Sequence, residues 1–306
     1  MNRVMVFILI SVLLAGCSTA SSPNITHVYA FGDEHSDNGN CYKFLKEAVA
    51  QGQLVPEDLK GFEENWEGRL SNGPVAVEVM ADRLKVPLTD YAVCAAMSGS
   101  ENINSDIDAL NNTGLLGQVN QFESDLKGEK ADADALYFID IGTVDIWLKA
   151  IEGYEEEEAI SGVADQVIAG ITNAITLLAN SGAKKFMVGN SFDLSKFPSF
   201  ISEGVTDPAQ IYQSNMNARL PGKMEELAQQ LGVEIDVFDH IAAGNSIQSN
   251  AEQYGLTNLS DPCTEQPFGA GQICAKPDEY YYWGYSYLTA RVHQIMGEAM
   301  AEQLTK

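Results

Sequence analysis

Four consecutive residues, Asp33, Glu34, His35 and Ser36, place two carboxylates, an imidazole and a hydroxyl next to one another in the chain. They follow an apolar run that predicts a strand over residues 28–31, and a helix-like run begins near residue 42. Strand, tight turn and helix is the setting in which α/β hydrolytic enzymes present a nucleophile. The pattern therefore directs attention to acyl transfer, which needs a hydroxyl or thiol, a base and an orienting carboxylate.

The segment around these residues reads Phe-Gly-Asp-Glu-His-Ser-Asp-Asn-Gly-Asn over positions 31–40. It resembles the first motif of the GDSL (SGNH) lipase/esterase family, Phe-Gly-Asp-Ser-Leu-Ser-Asp-x-Gly-Asn. Further blocks resemble later motifs of the family and of its lecithinase/hemolysin-like branch, in the same order, at residues 69–75, 90–96, 141–145, 190–194, 254–263 and 282–289. The resemblance covers nearly all of the chain beyond its first 26 residues.

This resemblance places a different residue at every functional position of the family. The nucleophilic serine corresponds to Glu34, the oxyanion glycine to Ala95, the oxyanion asparagine to Val144, the acid to Gly284 and the base to Tyr287. Ala95 keeps a backbone N–H donor, whereas Val144 has no polar side-chain atom. No catalytic set is intact, and the candidate residues of the cleft are Asp33, Glu34, His35, Ser36, Cys94, Asp145 and Tyr287.

Other residues offer weaker routes to catalysis. Ser36 matches a family serine and is interpreted as a turn or helix-capping residue. His35 replaces a leucine and is interpreted as a packed or rim histidine, and His293 falls nearly two turns beyond the position of the base. A glycosidase-like pair of Glu34 and Asp145 is conceivable, although Asp145 matches a structural aspartate of the family.

Glu34 is expected at the N-terminal end of a helix, where the helix dipole favours a carboxylate by about 0.3–1 kcal/mol. It can accept the N–H groups that would otherwise hold a substrate oxyanion. A glutamate here would partly fill the oxyanion hole and repel an anionic intermediate. The alternative is simple sequence drift after activity was lost.

The first residues of the chain read as a secretory signal. An apolar run over residues 4–14 is too short for a membrane span and ends in Leu-Ala-Gly-Cys at residues 14–17. This box resembles a bacterial lipoprotein cleavage site, with Cys17 acylated, and Ser18 points to the outer membrane. We predict a signal peptide over residues 1–16, a tether over 17–26 and one hydrolase-like domain over 27–306.

Composition restricts the partners. The net charge of -25 disfavours nucleic acid and anionic lipid head groups, so membrane association would come through the acyl chains on Cys17. Cys263 and Cys274 bracket a short loop and are predicted to form a disulfide in an oxidising compartment. Cys41 and Cys94 lie in stretches that the family brings together, and form either a second disulfide or two buried thiols. No zinc-ligand spacing occurs, and we expect no metal or cofactor.

Strand-like and helix-like runs alternate along the chain. Strands are expected near residue 92 and over residues 135–141, 185–188 and 233–238. Helices are expected over residues 74–84, 115–126, 159–179, 208–231 with a break at Pro221-Gly222, and 285–304. This alternation, with the resemblance, predicts an α/β fold, a three-layer α/β/α sandwich with a mostly parallel, flavodoxin-like sheet. Ligand chemistry should lie at the C-terminal ends of the strands.

The best interpretation is a lipid-anchored GDSL-fold protein of the bacterial envelope that has lost ester hydrolysis. It would act as a binding or interaction protein, with an ester, lipid or carbohydrate ligand in the cleft. The alternatives are a lipase or esterase with noncanonical catalytic residues, and a structural envelope lipoprotein. The sequence names no protein partner.

Overall fold

The structure of the protein, a computed structural model, describes residues 25–63, 65–104, 112–265 and 271–306. The predicted signal peptide, Cys17 and most of the predicted tether lie outside these residues. The strands are β1 Val28–Gly32, β2 Leu88–Asp90, β3 Leu136–Asp140, β4 Lys185–Gly189, β5 Glu234–Phe238, β6 Asn258–Pro262 and β7 Tyr280–Tyr282.

The helices fill the connections between these strands. They are α1 Asn40–Ala50, α2 Lys60–Glu63, α3 Ala76–Leu84, α4 Leu115–Asp125, α5 Thr143–Ile151, α6 Glu157–Ser181, α7 Pro198–Ser202, α8 Thr206–Leu231, α9 His240–Ser249, α10 Ala251–Tyr254 and α11 Ala290–Leu304. Short 3₁₀ turns occupy Pro56–Leu59, Trp66–Gly68, Leu194–Lys196 and Pro277–Glu279.

The first five strands form one parallel sheet in the order β2-β1-β3-β4-β5. This is the flavodoxin-like order, and it confirms the predicted fold class. The central strand β3 is buried at every position, as its continuous apolar run requires when helices cover both faces of the sheet. Because the five strands of this sheet are parallel, the chain leaves each of them at the same edge. The segments that follow the neighbouring strands β1 and β3 therefore meet there.

Two groups of helices flank this sheet. In one group α6 packs against α4, α5 and α8, and in the other α11 packs against α3 and α9. Among the described helices, α6 alone is long and apolar enough to cross a membrane, but half of its most apolar window is buried within the domain. We therefore interpret α6 as a core helix of the sandwich.

The structure corrects the predicted break at Pro221-Gly222, because α8 runs through both residues without interruption. A proline inside a helix removes one backbone hydrogen bond and costs about 3 kcal/mol. The buried side chains of α8 continue across this point on one face, which packs against α6, and that burial offsets the loss. These side chains include Met216, Leu220, Met224 and Leu227.

Two element boundaries also differ from the prediction. The last helix begins at Ala290 rather than residue 285, because Thr289 caps it by accepting the N–H of Val292. The preceding residues fold back instead, and the N–H of Trp283 donates to the carbonyl of Tyr287 at 2.8 Å. Strand β2 ends at Asp90, so Ala92 lies in the loop that follows it rather than in the strand.

Candidate functional site

The first motif lies in the turn that follows β1, at the C-terminal edge of the sheet. Gly32 allows this turn, because a Cβ atom at its φ of 153° would collide with the carbonyl oxygen of Asp140 at the end of β3. The five residues after Gly32 are all buried, with exposed fractions of 1% for Asp33, 8% for Glu34, 4% for His35, 1% for Ser36 and 3% for Asp37. The fold therefore places these polar side chains in a region that is largely shielded from solvent.

Glu34 fills the place that the family resemblance assigns to an oxyanion. Its Oε2 atom accepts the backbone N–H of Ala95 at 3.0 Å, a typical distance for an oxyanion-hole donor. Ala95 has a left-handed backbone with φ of 62°, which explains why the family carries a glycine at this position. Burial raises the pKa of Glu34, and the N–H donors oppose that shift only in part.

Tyr287, at the position of the family base, lies close enough to the Glu34 carboxylate to interact with its negative charge. Burial and the neighbouring carboxylates of Glu34 and Asp33 raise the pKa of Tyr287 well above its ordinary value. The phenol therefore stays protonated at neutral pH and cannot remove a proton from a hydroxyl nucleophile. The structure brings Glu34, Ala95 and Tyr287 together, as the resemblance implied.

The two remaining family positions offer no polar side chain. Val144 is buried in the first turn of α5, and Gly284 is buried in the segment after β7. Next to Gly284, the indole N–H of Trp283 donates to Asn65 Oδ1 at 2.7 Å, so this segment is anchored to the first third of the chain. The anchor has been kept while the acid has been replaced.

Asp145 is engaged in a structural contact. Its Oδ1 atom accepts the hydroxyl of Ser98 at 2.6 Å, and both carboxylate oxygens approach the Ser98 backbone N–H at 3.1–3.2 Å. Burial raises the pKa of Asp145. Because this carboxylate ties α5 to the loop that carries Ala95, it supports the interpretation of Asp145 as a structural residue rather than as the partner of Glu34 in a glycosidase-like pair.

Asp37 caps α1. Its Oδ1 atom accepts the N–H groups of Gly39 and Asn40 at 2.8 and 2.6 Å, and its Oδ2 atom accepts those of Cys41 and Cys94 at 3.0 and 2.9 Å. Burial nevertheless raises the pKa of Asp37 to about 6. Helix capping, which the sequence suggested for Ser36, falls to Asp37, and the aspartate followed by Asn-Gly-Asn was the signal for it.

Three histidines surround a small cavity behind the first motif. The cavity is about 10 Å³, room for roughly one water molecule, and its polar lining comes from His35, Ser36, Asp140, His240 and His293. Burial lowers the pKa of His35 to about 4 and that of His293 to about 3. Each of these two rings is therefore neutral at physiological pH.

Among the described residues, no histidine forms a hydrogen bond with the Ser36 hydroxyl. His293 Nδ1 already accepts the N–H of Ala76 at 3.2 Å, and His27 Nε2 lies 2.8 Å from the hydroxyl of Thr89. His240 Nε2 lies 3.0 Å from Asp140 Oδ2, but the two groups are not aligned for a hydrogen bond. Ser36 itself is shielded from solvent, so a substrate cannot reach its hydroxyl.

Larger concave surfaces lie elsewhere. A groove of about 760 Å³ runs between α3 and α11, and charged side chains such as Glu78, Arg83 and Arg291 line it. It shares no residue with the site at Glu34. The closed centre at Glu34 is thus separate from this groove.

Both predicted disulfides are present. Cys41 pairs with Cys94 across a Cα–Cα distance of 5.4 Å, and Cys263 pairs with Cys274 across 4.9 Å. The alternative of two buried thiols at Cys41 and Cys94 is therefore wrong. The first disulfide joins the helix after Glu34 to the residue before Ala95, so it holds the two sides of the site together.

A parallel α/β sandwich with the equivalent positions of an acyl-transfer centre at the C-terminal edge of its sheet defines the class of protein. Residues 28–300 match the GDSL-like Lipase/Acylhydrolase family, and the chain belongs to that family.

Named relatives are distant. The thermolabile hemolysin of Vibrio parahaemolyticus is 26% identical over 294 residues, which cover 91% of this chain and 63% of the hemolysin. The inactive GDSL esterase/lipase-like protein 25 of Arabidopsis thaliana is 23% identical over 317 residues, 96% of this chain and 75% of that protein. A lipolytic G-D-S-L family protein from Veillonella parvula has a similar structure, with a TM-score of 0.44 at 14% identity over 90% of this chain and 97% of that one.

Proposed function

We propose that this protein is a noncatalytic member of the GDSL family that acts as a binding or interaction protein of the bacterial envelope. The observation that carries the proposal is the hydrogen bond from the Ala95 N–H to Glu34 Oε2 at 3.0 Å. The side chain at the nucleophile position occupies the donor that would stabilise an oxyanion. A carboxylate at that place also repels the negative charge that develops during ester hydrolysis.

The surrounding groups support the same proposal. Hydrolysis requires a nucleophile with a base that accepts its proton, and the phenol of Tyr287 is a protonated donor with a raised pKa. Val144 cannot supply the second oxyanion donor, and Gly284 cannot orient a base. Loss of one such group lowers the rate by orders of magnitude, and groups that act as a unit fail together.

The name of one relative gives weaker support for a noncatalytic protein. The Arabidopsis protein that is similar over 96% of this chain is named as inactive. The Vibrio relative is named as a hemolysin, so the alternative of an ester-hydrolysing enzyme with noncanonical residues is tested by the same experiment.

The deciding experiment is an assay of p-nitrophenyl ester hydrolysis at high protein concentration. Wild-type protein should not exceed the buffer rate, and Glu34→Ser alone should not either, because its hydroxyl would lack a base. Glu34→Ser with Val144→Asn, Gly284→Asp and Tyr287→His rebuilds the family set and should give weak, measurable turnover. The matched control carries the last three changes with Glu34 retained, and it should stay inactive.

Two results would contradict the proposal. Wild-type turnover that is abolished by Glu34→Ala or Ser36→Ala would show that another constellation hydrolyses esters. Equal activity of the single and combined variants would show that a base exists which this interpretation does not include.

A melting-temperature rise with ester, lipid or oligosaccharide ligands would distinguish a binding protein from a purely structural one.

The membrane anchor is part of the same proposal. Cys17 follows the Leu-Ala-Gly box, and its acyl chains would hold the acidic domain at the outer membrane through the tether. Mass spectrometry should find acylated Cys17 at the mature N-terminus, and Cys17→Ala should release the protein from the membrane fraction. An unmodified residue other than Cys17 at the mature N-terminus would remove this part of the proposal.

A further inference from the structure

We propose that Asp33, Glu34 and His35 bind one divalent transition-metal ion, for which zinc is the best match. One ligand atom from each side chain lies within 4.8 Å of those of the other two. Ligand atoms around a tetrahedral zinc are about 3–3.5 Å apart, given metal–ligand bonds of about 2.0–2.2 Å. Small side-chain rotations would therefore close the three ligands around an ion. The inference goes beyond the proposed loss of hydrolysis, because it concerns what stabilises the altered turn.

Charge is the first argument for a cation at this place. Asp33 and Glu34 are buried, and the charged groups that perturb them are other carboxylates, among them Asp37, Asp140 and Asp145. Among the described residues, no ion pair joins a lysine or arginine to Asp33 or Glu34. Buried carboxylates are generally paired with a cation or bound to a metal. A divalent ion would balance both charges.

The imidazole of His35 gives an independent second argument. Its side chain is 4% exposed, and its Nε2 atom is buried without a hydrogen-bond partner. A buried ring nitrogen without a partner costs free energy unless something binds to the ring. Imidazole favours zinc, copper or nickel, whereas calcium and magnesium prefer oxygen ligands alone, so the ligand set selects a transition metal.

The backbone already orients both carboxylates for ligation. Asp33 Oδ1 accepts the N–H of His35 at 3.2 Å, and Glu34 Oε2 accepts the N–H of Ala95 at 3.0 Å. In each case the proposal assigns the second carboxylate oxygen to the ion. Metal-binding carboxylates are usually held by such outer hydrogen bonds, which fix the direction of the ligand.

The ligand set is specific to this chain. The family motif carries serine and leucine where this chain has Glu34 and His35, and it shares only Asp33. The substitution that removes the nucleophile, at Glu34, and the one next to it, at His35, therefore supply two of the three ligands. A second cluster, of Asp37, Cys41 and Cys94, cannot compete, because its two cysteines form a disulfide and have no thiolate to offer.

Zinc binding can be measured directly on untagged, chelator-treated wild-type protein. Calorimetric titration with zinc chloride should give one ion per chain, and zinc should raise the melting temperature much more than calcium at the same concentration. Asp33→Asn and His35→Leu should each weaken zinc binding at least tenfold. His27→Gln, which changes a histidine outside the cluster, should bind zinc like the wild type.

The result that overturns the proposal is a wild type without stoichiometric zinc binding, or variants that bind as tightly as the wild type. The latter would indicate adventitious binding to the acidic surface. Circular dichroism checks that each variant is folded. If Asp33→Asn or His35→Leu does not fold, Glu34→Gln takes its place. Because ester hydrolysis does not enter these measurements, failure of the zinc site leaves the noncatalytic proposal intact, and the reverse also holds.

Discussion

Asp37 accepts the backbone N–H of Cys94 at 2.9 Å, and the same Oδ2 atom accepts the N–H of Cys41, to which Cys94 is bonded through sulfur. One carboxylate oxygen and one disulfide thus fasten the same two residues. Cys41 lies in the first turn of α1, after the Glu34 turn, and Cys94 precedes Ala95. The geometry between Glu34 and Ala95 therefore depends on a cross-link that is both covalent and hydrogen-bonded.

Asp37→Asn should destabilise the fold by roughly 2–6 kcal/mol. The amide can replace one acceptor oxygen, but its NH₂ group would leave two buried N–H donors unpaired, each at a cost of about 1–3 kcal/mol. Urea unfolding measures the change in free energy. Asp82→Asn is the control, because Asp82 is exposed and pairs only with Lys85 at the surface, so it should change stability by less than about 1 kcal/mol. Equal effects of the two substitutions would refute the capping role of Asp37.

Removal of the Cys41–Cys94 disulfide should cost more stability than removal of the Cys263–Cys274 disulfide. The two bridges join residues 53 and 11 positions apart. Chain-entropy estimates give about 4 kcal/mol for the longer loop and about 3 kcal/mol for the shorter one. Paired Cys→Ala variants and urea unfolding provide the comparison. A larger loss from the short loop would mean that native contacts, rather than loop length, set the contribution.

Ala95→Gly should raise stability by up to about 1 kcal/mol. An alanine in a left-handed conformation costs about 1–2 kcal/mol, which glycine avoids. Glycine in turn costs about 0.5–1 kcal/mol, because it loses more conformational freedom when the chain folds. The adjacent Ala96→Gly is the matched control. Ala96 is fully buried and does not have a positive φ, so glycine there should destabilise the protein. A loss at both positions would argue that residue 95 is unstrained.

His293→Gln should make the protein less sensitive to acid. The pKa of His293 is lowered to about 3 by burial and by the neighbouring His35 and His240, and its Nδ1 must stay unprotonated to accept the N–H of Ala76. A depressed pKa contributes stability that is present above the unfolded value of 6.5 and is lost as pH falls from there towards 3. At pH 5 the loss from this ring should be on the order of 2 kcal/mol.

Urea unfolding of wild type and variant at pH 7 and pH 5 isolates this contribution. The raised pKa values of buried carboxylates such as Asp145 act in the opposite direction, since they stabilise the fold as pH falls. The difference between the two proteins is therefore the informative quantity, rather than either curve alone. His27→Gln is the control and should have a smaller effect, because His27 is only partly buried. If the difference in stability between wild type and His293→Gln is the same at pH 7 and at pH 5, the assignment is wrong.

Patterns of apolar residues, together with the family resemblance, predicted the central architecture. The run that forms β3 is short and apolar at nearly every position, which favours a buried strand, and the spacing in α4 and α6 is helical. Pro221 misled the prediction because local propensity was weighed without the packing of α8 on α6. The predicted helix over Tyr285 to Leu288 is wrong because these residues fold back on Tyr282 and Trp283 in a turn that no residue pattern indicates.

At the site, matching to the family motif located Glu34, Ala95 and Tyr287, but not what surrounds them. The four N–H groups on Asp37 come from two segments of the chain, and no local spacing encodes their meeting. The proposed metal ligands are three consecutive residues, which no spaced ligand motif contains, because successive residues point apart in a strand. Only the turn after β1 lets Asp33, Glu34 and His35 converge.

Hydrogen bonds join the start of α3 to the start of α11, between residues more than two hundred positions apart in the chain. Asn72 accepts the N–H of Ala290 at the start of α11, Ser71 donates to the carbonyl of Leu288, and His293 accepts from the first residue of α3. During synthesis these partners of α3 leave the ribosome more than two hundred residues after α3 itself. The contacts of α3 therefore form only after α11 has emerged, and a nascent chain truncated before Leu288 exposes the apolar face of α3 to chaperones or proteases.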